Sequence, residues 1–153
     1  MSDYASVNAS NLPEVAPSTL HGFFGIIAGE PVETSPPLLR RQFRGGLPPR
    51  VLRRVREYVE AHLEGSISLQ DLADTAGLSA SHFTRAFKQS EGVTPYRYLL
   101  QRRVQRSLEL LAGTKLALAE IATASGFADQ SHFCRRFRDI VGVTPSSYRW
   151  STR

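Results

Sequence analysis

The sequence predicts an all-α fold in which two helix-turn-helix units are joined by a long helix and preceded by an irregular N-terminal arm. A string of residues around Ser81-His82-Phe83 recurs 50 residues later around Ser131-His132-Phe133. Elsewhere in residues 48–153, apolar residues recur at spacings of three and four, as in an amphipathic α-helix. Seven of the nine prolines lie at or before Pro49, and no helical period survives there, which predicts the irregular arm.

Residues 1–47 are predicted to form this irregular or partly disordered arm. They are rich in proline and glycine, which interrupt helices and strands. The stretch Phe23–Ala28 is more apolar than a free linker, and we expect a short strand that docks either on the folded domain or on a partner. The apolar stretch Leu20–Ala28 is far shorter than the roughly 20 residues that span a bilayer, so no membrane association is expected.

The single cysteine, Cys134, bears on the compartment and on metal binding. One cysteine allows no internal disulfide and no zinc site built from thiolates, which fits a reducing environment. The start Met1-Ser2-Asp3 lacks the basic residues of a secretory signal. The sequence therefore predicts a cytoplasmic protein that holds no metal and no other cofactor.

Residues 48–153 are predicted to fold as one helical domain, which begins with a helix from Pro48-Pro49 to about Gly65. The apolar face of this helix comprises Leu52, Val55, Val59 and Leu63. The first helix-turn-helix unit follows at about residues 68–91, and Gly77 forms the tight turn between its two helices. Serine hydroxyls just before each of these helices can cap their first backbone N–H groups.

A long helix over about residues 95–111 is predicted to join the two units, because Thr94-Pro95 suits a helix start. Its apolar stripe comprises Leu100, Val104, Leu108 and Leu111. Its arginines are expected to form a solvated face, and they are Arg102, Arg103 and Arg106. The second helix-turn-helix unit follows at about residues 116–140, with Gly126 as its turn and Asp129 as the cap of its second helix, and Thr144-Pro145 opens a short terminal helix.

Charge separates the arm from the helical domain. Residues 1–47 carry a net charge of −1, whereas residues 48–153 hold 16 Lys+Arg against 10 Asp+Glu. Lysine occurs only at Lys88 and Lys115, so the cationic surface is almost all guanidinium, which grips phosphate or guanine with two parallel hydrogen bonds. This distribution indicates a polyanionic partner for the repeated half of the chain.

The second helix of a helix-turn-helix unit lies in the major groove of DNA, where its N-terminal residues contact base edges. Such a helix needs an apolar face that holds it and a polar face that contacts the DNA. The apolar faces are expected to be two phenylalanine pairs, Phe83 with Phe87 and Phe133 with Phe137. The exposed faces are expected to carry Ala80, Ser81, Thr84, Arg85 and Lys88 in the first unit, and Gln130, Ser131, His132, Arg135 and Arg138 in the second.

A long string of residues in the second copy is characteristic of one family of DNA-binding proteins. The string comprises Ala119-Glu120-Ile121-Ala122, Gly126-Phe127, Asp129-Gln130-Ser131-His132-Phe133, Arg136-Phe137 and Gly142-Val143-Thr144-Pro145. From about Pro48 to Trp150 the chain resembles the AraC/XylS family of bacterial transcription regulators. Most members carry a sensing or dimerising domain of more than a hundred residues before this module, whereas about 47 residues precede it here. Either a small stand-alone regulator or a truncated longer one is therefore expected.

The resemblance implies that both recognition helices enter successive major grooves on one face of the duplex. Read onto this chain, it places Ser81, Thr84 and Arg85 against bases in the first groove, and Lys88 on the exposed face is a further candidate for DNA contact. In the next groove it places Gln130, Ser131, His132 and Arg135 against bases. The copies differ at Ala80 against Gln130 and at Thr84 against Cys134, so the expected target is asymmetric, with two unlike halves.

Each candidate also has a plain structural interpretation. The arginines can be solvated surface charge, Gln130 can be a solvated amide, and His132 either touches DNA or packs inside its unit. His82 and His132 occupy matched places but belong to different units, so we do not expect them to share a metal. Cys134 is expected to be a structural thiol, because only arginines lie beside it in sequence.

The sequence predicts a sequence-specific transcription regulator that binds double-stranded DNA as a monomer and contacts RNA polymerase. The alternative is a truncated regulator that acts mainly as a protein-interaction module with RNA polymerase or a full-length relative, and the apolar arm motivates it. An enzyme is not expected, because the sequence lacks paired carboxylates at a cleft, a phosphate-binding glycine loop and a nucleophile with a base.

Overall fold

The computed structural model describes residues 45–152, and over that range it contains seven helices and no strand, which confirms the all-α prediction. The helices are α1 Pro49–Ala61, α2 Leu69–Ala76, α3 Ala80–Glu91, α4 Pro95–Gly113, α5 Leu118–Ala124, α6 Gln130–Val141 and α7 Pro145–Ser151. The first helix-turn-helix unit consists of α2 and α3, and the second consists of α5 and α6. The strand predicted around Phe23–Ala28 lies outside the described residues.

Helix α1 begins with proline at its first position, as predicted, but it ends at Ala61 and not near Gly65. The chain leaves the helical conformation at His62, whose φ is −119°, and the Gly65 N–H closes a turn onto the His62 carbonyl at 2.9 Å. The His62 ring stacks on Tyr58, and its Nδ1 is 2.9 Å from the Tyr58 carbonyl oxygen. The His62 backbone N–H also donates to the Tyr58 carbonyl, at 3.2 Å, and the helix stops four residues before Gly65.

One apolar core unites α1 with the first helix-turn-helix unit. Its buried members are Leu47, Val55, Val59, Leu63, Leu72, Ala73, Ala76, Phe83, Ala86, Phe87 and Leu99. Leu47 precedes α1, and its N–H donates to the Ser90 hydroxyl at 2.8 Å, which ties the entering chain to the last turn of α3. The folded core therefore includes a residue that composition had grouped with the arm.

Local hydrogen bonds set the helix starts of the first unit as predicted. The Ser68 hydroxyl accepts from the Asp71 N–H at 3.1 Å, and the Asp71 carboxylate accepts from the Ser68 N–H at 2.8 Å, which is a full capping box. Gly77 ends α2 with a φ of +69°, a left-handed conformation that glycine adopts without strain. Ser79 caps α3 by accepting from the His82 N–H at 3.4 Å.

The second unit repeats this plan with different side chains. Glu120 accepts from the Ala117 N–H at 2.7 Å, but alanine has no side-chain acceptor, so only half of a capping box starts α5. Gly126 takes the turn with a φ of +82°. Asp129 caps α6 by accepting from the His132 N–H at 2.7 Å, as predicted.

Helix α4 joins the units and continues two residues beyond its predicted end, through Gly113. Gly113 keeps a helical conformation, and the Thr114 N–H still donates to the Leu110 carbonyl at 3.0 Å. The predicted apolar stripe is confirmed, because its four residues are all buried, namely Leu100, Val104, Leu108 and Leu111. The second unit packs on this helix and adds Ile121, Ala122, Phe127, Phe133, Phe137 and Val141 to the buried residues.

Candidate nucleic-acid interface

Matched aromatic rings hold the second helix of each unit, α3 and α6, which we call the recognition helices. The pairs Phe83 with Phe87 and Phe133 with Phe137 are completely buried, with ring centroids 5.4 and 5.6 Å apart. A tyrosine from the following helix packs edge-on against each pair, Tyr98 at 5.4 Å and Tyr148 at 5.9 Å. Burial raises the pKa of Tyr98 to about 12 and also raises the pKa of Tyr148, so both phenol groups that support the recognition helices stay neutral.

On α3 the exposed candidates form one stripe. Ser81, Arg85 and Lys88 are exposed and lie four and then three residues apart, which puts them on one helical face. Thr84 is half-buried beside them, and its hydroxyl donates to the Ala80 carbonyl at 2.8 Å. The Thr84 proton is therefore used within the helix, which leaves its methyl group and its oxygen lone pair for other contacts.

On α6 the same stripe recurs with a stronger cationic character. Ser131 and Arg135 are exposed at the positions that match Ser81 and Arg85, and Gln130 is exposed at the first position of the helix. Arg138 extends the stripe by one turn and matches Lys88. Arg138 was predicted on the exposed face but not among the residues that contact DNA, although its match to Lys88 in the repeat is a signal for including it.

The matched histidines have different environments. His82 is exposed, whereas His132 is half-buried and packs edge-on against Phe127, with ring centroids 5.7 Å apart. The His132 Nε2 accepts from the Arg136 Nε at 3.4 Å. Leu78 occupies the place of Phe127 in the first unit, so no aromatic ring is available to His82 there. The packing interpretation of His132 is the one that these contacts favour.

Cys134 occupies the place of Thr84 and is half-buried. Burial raises the pKa of its thiol, which opposes the thiolate form that a reactive cysteine needs. Within residues 45–152 no three side chains of His, Cys, Asp or Glu come together as metal ligands. None of the helices in this range is long and apolar enough to cross a bilayer.

Two arginines of α4 are not the solvated face that the sequence predicted. The Arg102 Nε lies 2.6 Å from the Glu60 carboxylate on α1. Burial alone would lower the pKa of Arg102, but the hydrogen bond and charge of Glu60 raise it. Arg103 donates from Nε to the Leu63 carbonyl at 3.3 Å and from a terminal nitrogen to the Gly65 carbonyl at 2.7 Å. Helical periodicity could not reveal these contacts, because their partners lie about 40 residues away in sequence.

Two further surface features lie away from the recognition helices. A cleft of about 620 Å³ runs between the end of α1 and α4, where Glu60, Arg102 and Arg106 are among the lining residues. In the second feature, Trp150 on α7 is 82% exposed beside Leu118. Neither feature involves a predicted contact residue.

A family model described as a helix-turn-helix domain matches residues 72–151 of this chain. The chain is also similar to the probable transcriptional regulator LumQ of Photobacterium leiognathi, with 35% identity over 77 residues. The similar region makes up 50% of this chain and 31% of LumQ, so the chain spans about a third of the length of that relative.

Two solved structures share the fold. A transcriptional regulator with an AraC-type DNA-binding domain from Chromobacterium violaceum superposes with a TM-score of 0.63 at 31% identity, over 67% of this chain and 92% of that one. The DNA-binding domain of the global transcriptional factor AdpA, solved in complex with a target DNA, has a TM-score of 0.64 at 28% identity, with the same two coverages. The comparisons do not favour the alternative of a protein-interaction module. Because the helix-turn-helix model covers more than half of the sequence and the similar proteins are of AraC type, this chain belongs to the AraC/XylS family of transcription regulators.

Proposed function

We propose that this chain is a sequence-specific DNA-binding transcription regulator that inserts α3 and α6 into successive major grooves of one site. The observation that carries the proposal is the pair of matched stripes, Ser81–Arg85–Lys88 and Ser131–Arg135–Arg138, exposed on helices whose opposite faces are completely buried. Hydroxyl and guanidinium groups are the donors that pair with base edges and phosphates. The AdpA domain, which was solved on a target DNA, supports the same use of this fold.

The position of each residue along its helix supports a division of roles. Arg85 and Arg135 lie in the second turn and suit bidentate contact with guanine, while Gln130 at the start of α6 suits adenine. Lys88 and Arg138 lie in the last turn, where their positive charges interact favourably with the negative end of the helix dipole. We assign both side chains to phosphate contacts.

The remaining candidates have smaller roles. Ser81 and Ser131 lie in the first turn and can donate to a base edge or to a phosphate. Thr84 offers mainly its methyl group, which suits contact with the methyl group of thymine. For His132 we propose that it stabilises the N-terminus of α6 and makes at most a peripheral contact with DNA, because its ring packs on Phe127.

The linker helix α4 suits a protein that contacts DNA with two recognition helices held at a fixed distance. Its 19 residues span about 28 Å at 1.5 Å per residue, close to the roughly 34 Å between grooves on one face of the duplex. Since one chain carries both recognition helices, or heads, we propose that it acts as a monomer on DNA. The differences between α3 and α6, such as Ala80 against Gln130, support an asymmetric site.

We also propose that the protein works in the cytoplasm without a cofactor or a catalytic activity, and that it contacts RNA polymerase at its target promoters. Transcription regulators act where DNA and polymerase are, and the burial of Cys134 argues against a reactive thiol. Cross-linking of the full chain to purified polymerase on the target DNA tests the partner. Sedimentation of the protein–DNA complex tests the stoichiometry.

The deciding experiment for DNA reading is the selection of bound sites from a random duplex pool by the full chain. We expect two short preferred blocks of different sequence, with centres about one helical turn apart. Binding should weaken steeply as salt rises, because phosphate contacts release counterions. Recovery of a single block would mean that only one head reads bases, and recovery of no preferred sequence would refute the proposal.

A further inference from the structure

The loop after α1, the linker helix and the turn of the second unit meet at one point. Gly126 forms that turn, and a Cβ built on it would lie closer than 3.0 Å to the Leu63 carbonyl oxygen and 2.7 Å from the Arg103 Nε. Leu63 belongs to the core of the first unit. The backbone of the second unit is therefore pressed against the loop after α1, whose Leu63 packs in the core shared with the first unit, and the Arg103 side chain lies beside both.

Arg103 holds the three segments together. Its guanidinium donates to the Leu63 and Gly65 carbonyls, which follow the last turn of α1 and would otherwise lack a helical partner. The same guanidinium covers the Gly126 turn, since its Cζ would be 3.1 Å from an added Cβ. Charge-assisted hydrogen bonds of this kind are stronger than neutral ones, and two from one planar group fix an orientation.

The equivalent glycine of the first unit has no such role. Gly77 has a similar positive φ of +69°, but an added Cβ there would meet no atom within 4 Å. The tight approach at Gly126 is thus a property of the second copy and not of the shared turn.

We infer that Arg103 and Gly126 form an inter-unit clamp that fixes the spacing and rotation between α3 and α6. The inference rests on the proposed function, because a fixed spacing matters only if both helices read DNA. Arg103 and Gly126 are positioning residues in this view, and they touch neither base nor phosphate. The clamp makes the distance between the two DNA blocks part of the recognised sequence.

The first test measures the tolerance of binding to the spacer length. The probes are the selected site and the same site with one base pair inserted between the blocks, which shifts them by about 3.4 Å and turns them by roughly 34°. For the wild-type chain and for Arg106→Met, which changes an exposed arginine on the same helix, we expect the insertion to cost roughly tenfold in affinity. For Arg103→Met we expect a cost of less than about threefold, because the units can reorient.

The second test needs no DNA. Residual dipolar couplings of backbone amides in the two units should fit one alignment tensor in wild type and in Arg106→Met, and two different tensors in Arg103→Met. Gly126→Ala should move the preferred spacer length, whereas Gly77→Ala carries the same left-handed strain and should leave it unchanged. If Gly126→Ala does not fold, the two Arg103→Met measurements decide the question.

The outcomes separate this inference from the proposed function. An unchanged spacer penalty and a common tensor in Arg103→Met would overturn the clamp while DNA reading stands. If wild type selects no two-block site, DNA reading by two heads fails, and the tensor comparison still decides whether the clamp exists.

Discussion

The two helix-turn-helix units turn at equivalent glycines, but only one of these turns lies against another part of the protein. Gly77 faces open space, whereas Gly126 presses on the Leu63 carbonyl and on Arg103. The residues that the copies share, such as the phenylalanine pairs and the capping positions, build each unit from within. The same turn glycine therefore shapes only its own unit in the first copy, whereas in the second copy it also contacts a segment outside its unit.

A second contrast lies at the recognition helices. The start of α6 is reinforced by an aspartate cap at 2.7 Å and by the packing of His132 on Phe127, while α3 has a serine cap at 3.4 Å and an exposed His82. Helix α3 is thus held mainly through its buried face, by Phe83 and Phe87, whereas α6 is held through its buried face and also at its N-terminus.

The largest expected effect comes from removing a ring from either core. Phe83→Ala and Phe133→Ala should each lower the free energy of unfolding by about 3–5 kcal/mol, because both rings are completely buried. Urea denaturation followed by far-ultraviolet circular dichroism measures the loss. A loss under about 1 kcal/mol in one variant would break the equivalence of the two cores.

The next largest effect concerns base contact by the two heads. Arg85→Ala and Arg135→Ala should each cost about 1–3 kcal/mol at the selected site and relax the preference in one block only. Exposed Arg54 on α1 is the matched control, and Arg54→Ala should leave the block preferences intact. Titrations against the site and against block-substituted duplexes measure this. An equal loss on every duplex would demote the arginine to a phosphate contact.

A smaller effect tests the half capping box of the second unit. Ala117→Ser supplies the missing hydroxyl and should raise the free energy of unfolding by about 1 kcal/mol, while Ser68→Ala should lower it by about the same amount. Urea denaturation of both variants measures the two changes in the free energy of unfolding. No gain from Ala117→Ser would mean that the start of α5 is set by its packing on α4 and not by its cap.

The smallest effect is a shift in the titration of Asp71. Hydrogen bonds from the Ser68 side chain and then from its backbone N–H lower the pKa of Asp71 below its ordinary value of 3.8. The stabilisation that this carboxylate provides is complete above that value and is lost as the pH falls through the lowered native pKa. Carbon-13 NMR titration of Ser68→Ala should find the Asp71 pKa raised towards 3.8. An unmoved pKa would assign the shift to the backbone alone.

Features set by local chemistry could be predicted from the sequence. The Ser68, Ser79 and Asp129 caps and both glycine turns depend on residues within four positions of each other, and the repeat marks them twice. The exposed stripe on each recognition helix followed from the same matching, and the contacts that its residues make with DNA stay predictions.

Features set by distant contacts could not be predicted. The Arg103 side chain reaches carbonyls about 40 residues away, and nothing in the helical period of α4 distinguishes it from exposed Arg106. The early end of α1 at Ala61 has no mark in the apolar spacing, which continues to buried Leu63. The repeat shows that Phe127 stands where the first copy has Leu78, but only the structure shows that the Phe127 ring packs against His132.

The exposed indole on α7 makes the protein its own fluorescent probe. Trp150 is the single tryptophan of the sequence, so selective excitation reports on the surface of the second unit, while the first unit contributes no tryptophan emission. An exposed indole emits to the red and is open to collisional quenchers, and both properties change when a ligand covers it. A blue shift or a loss of iodide quenching in the unlabelled chain would therefore locate a bound partner at the α7 end of the domain.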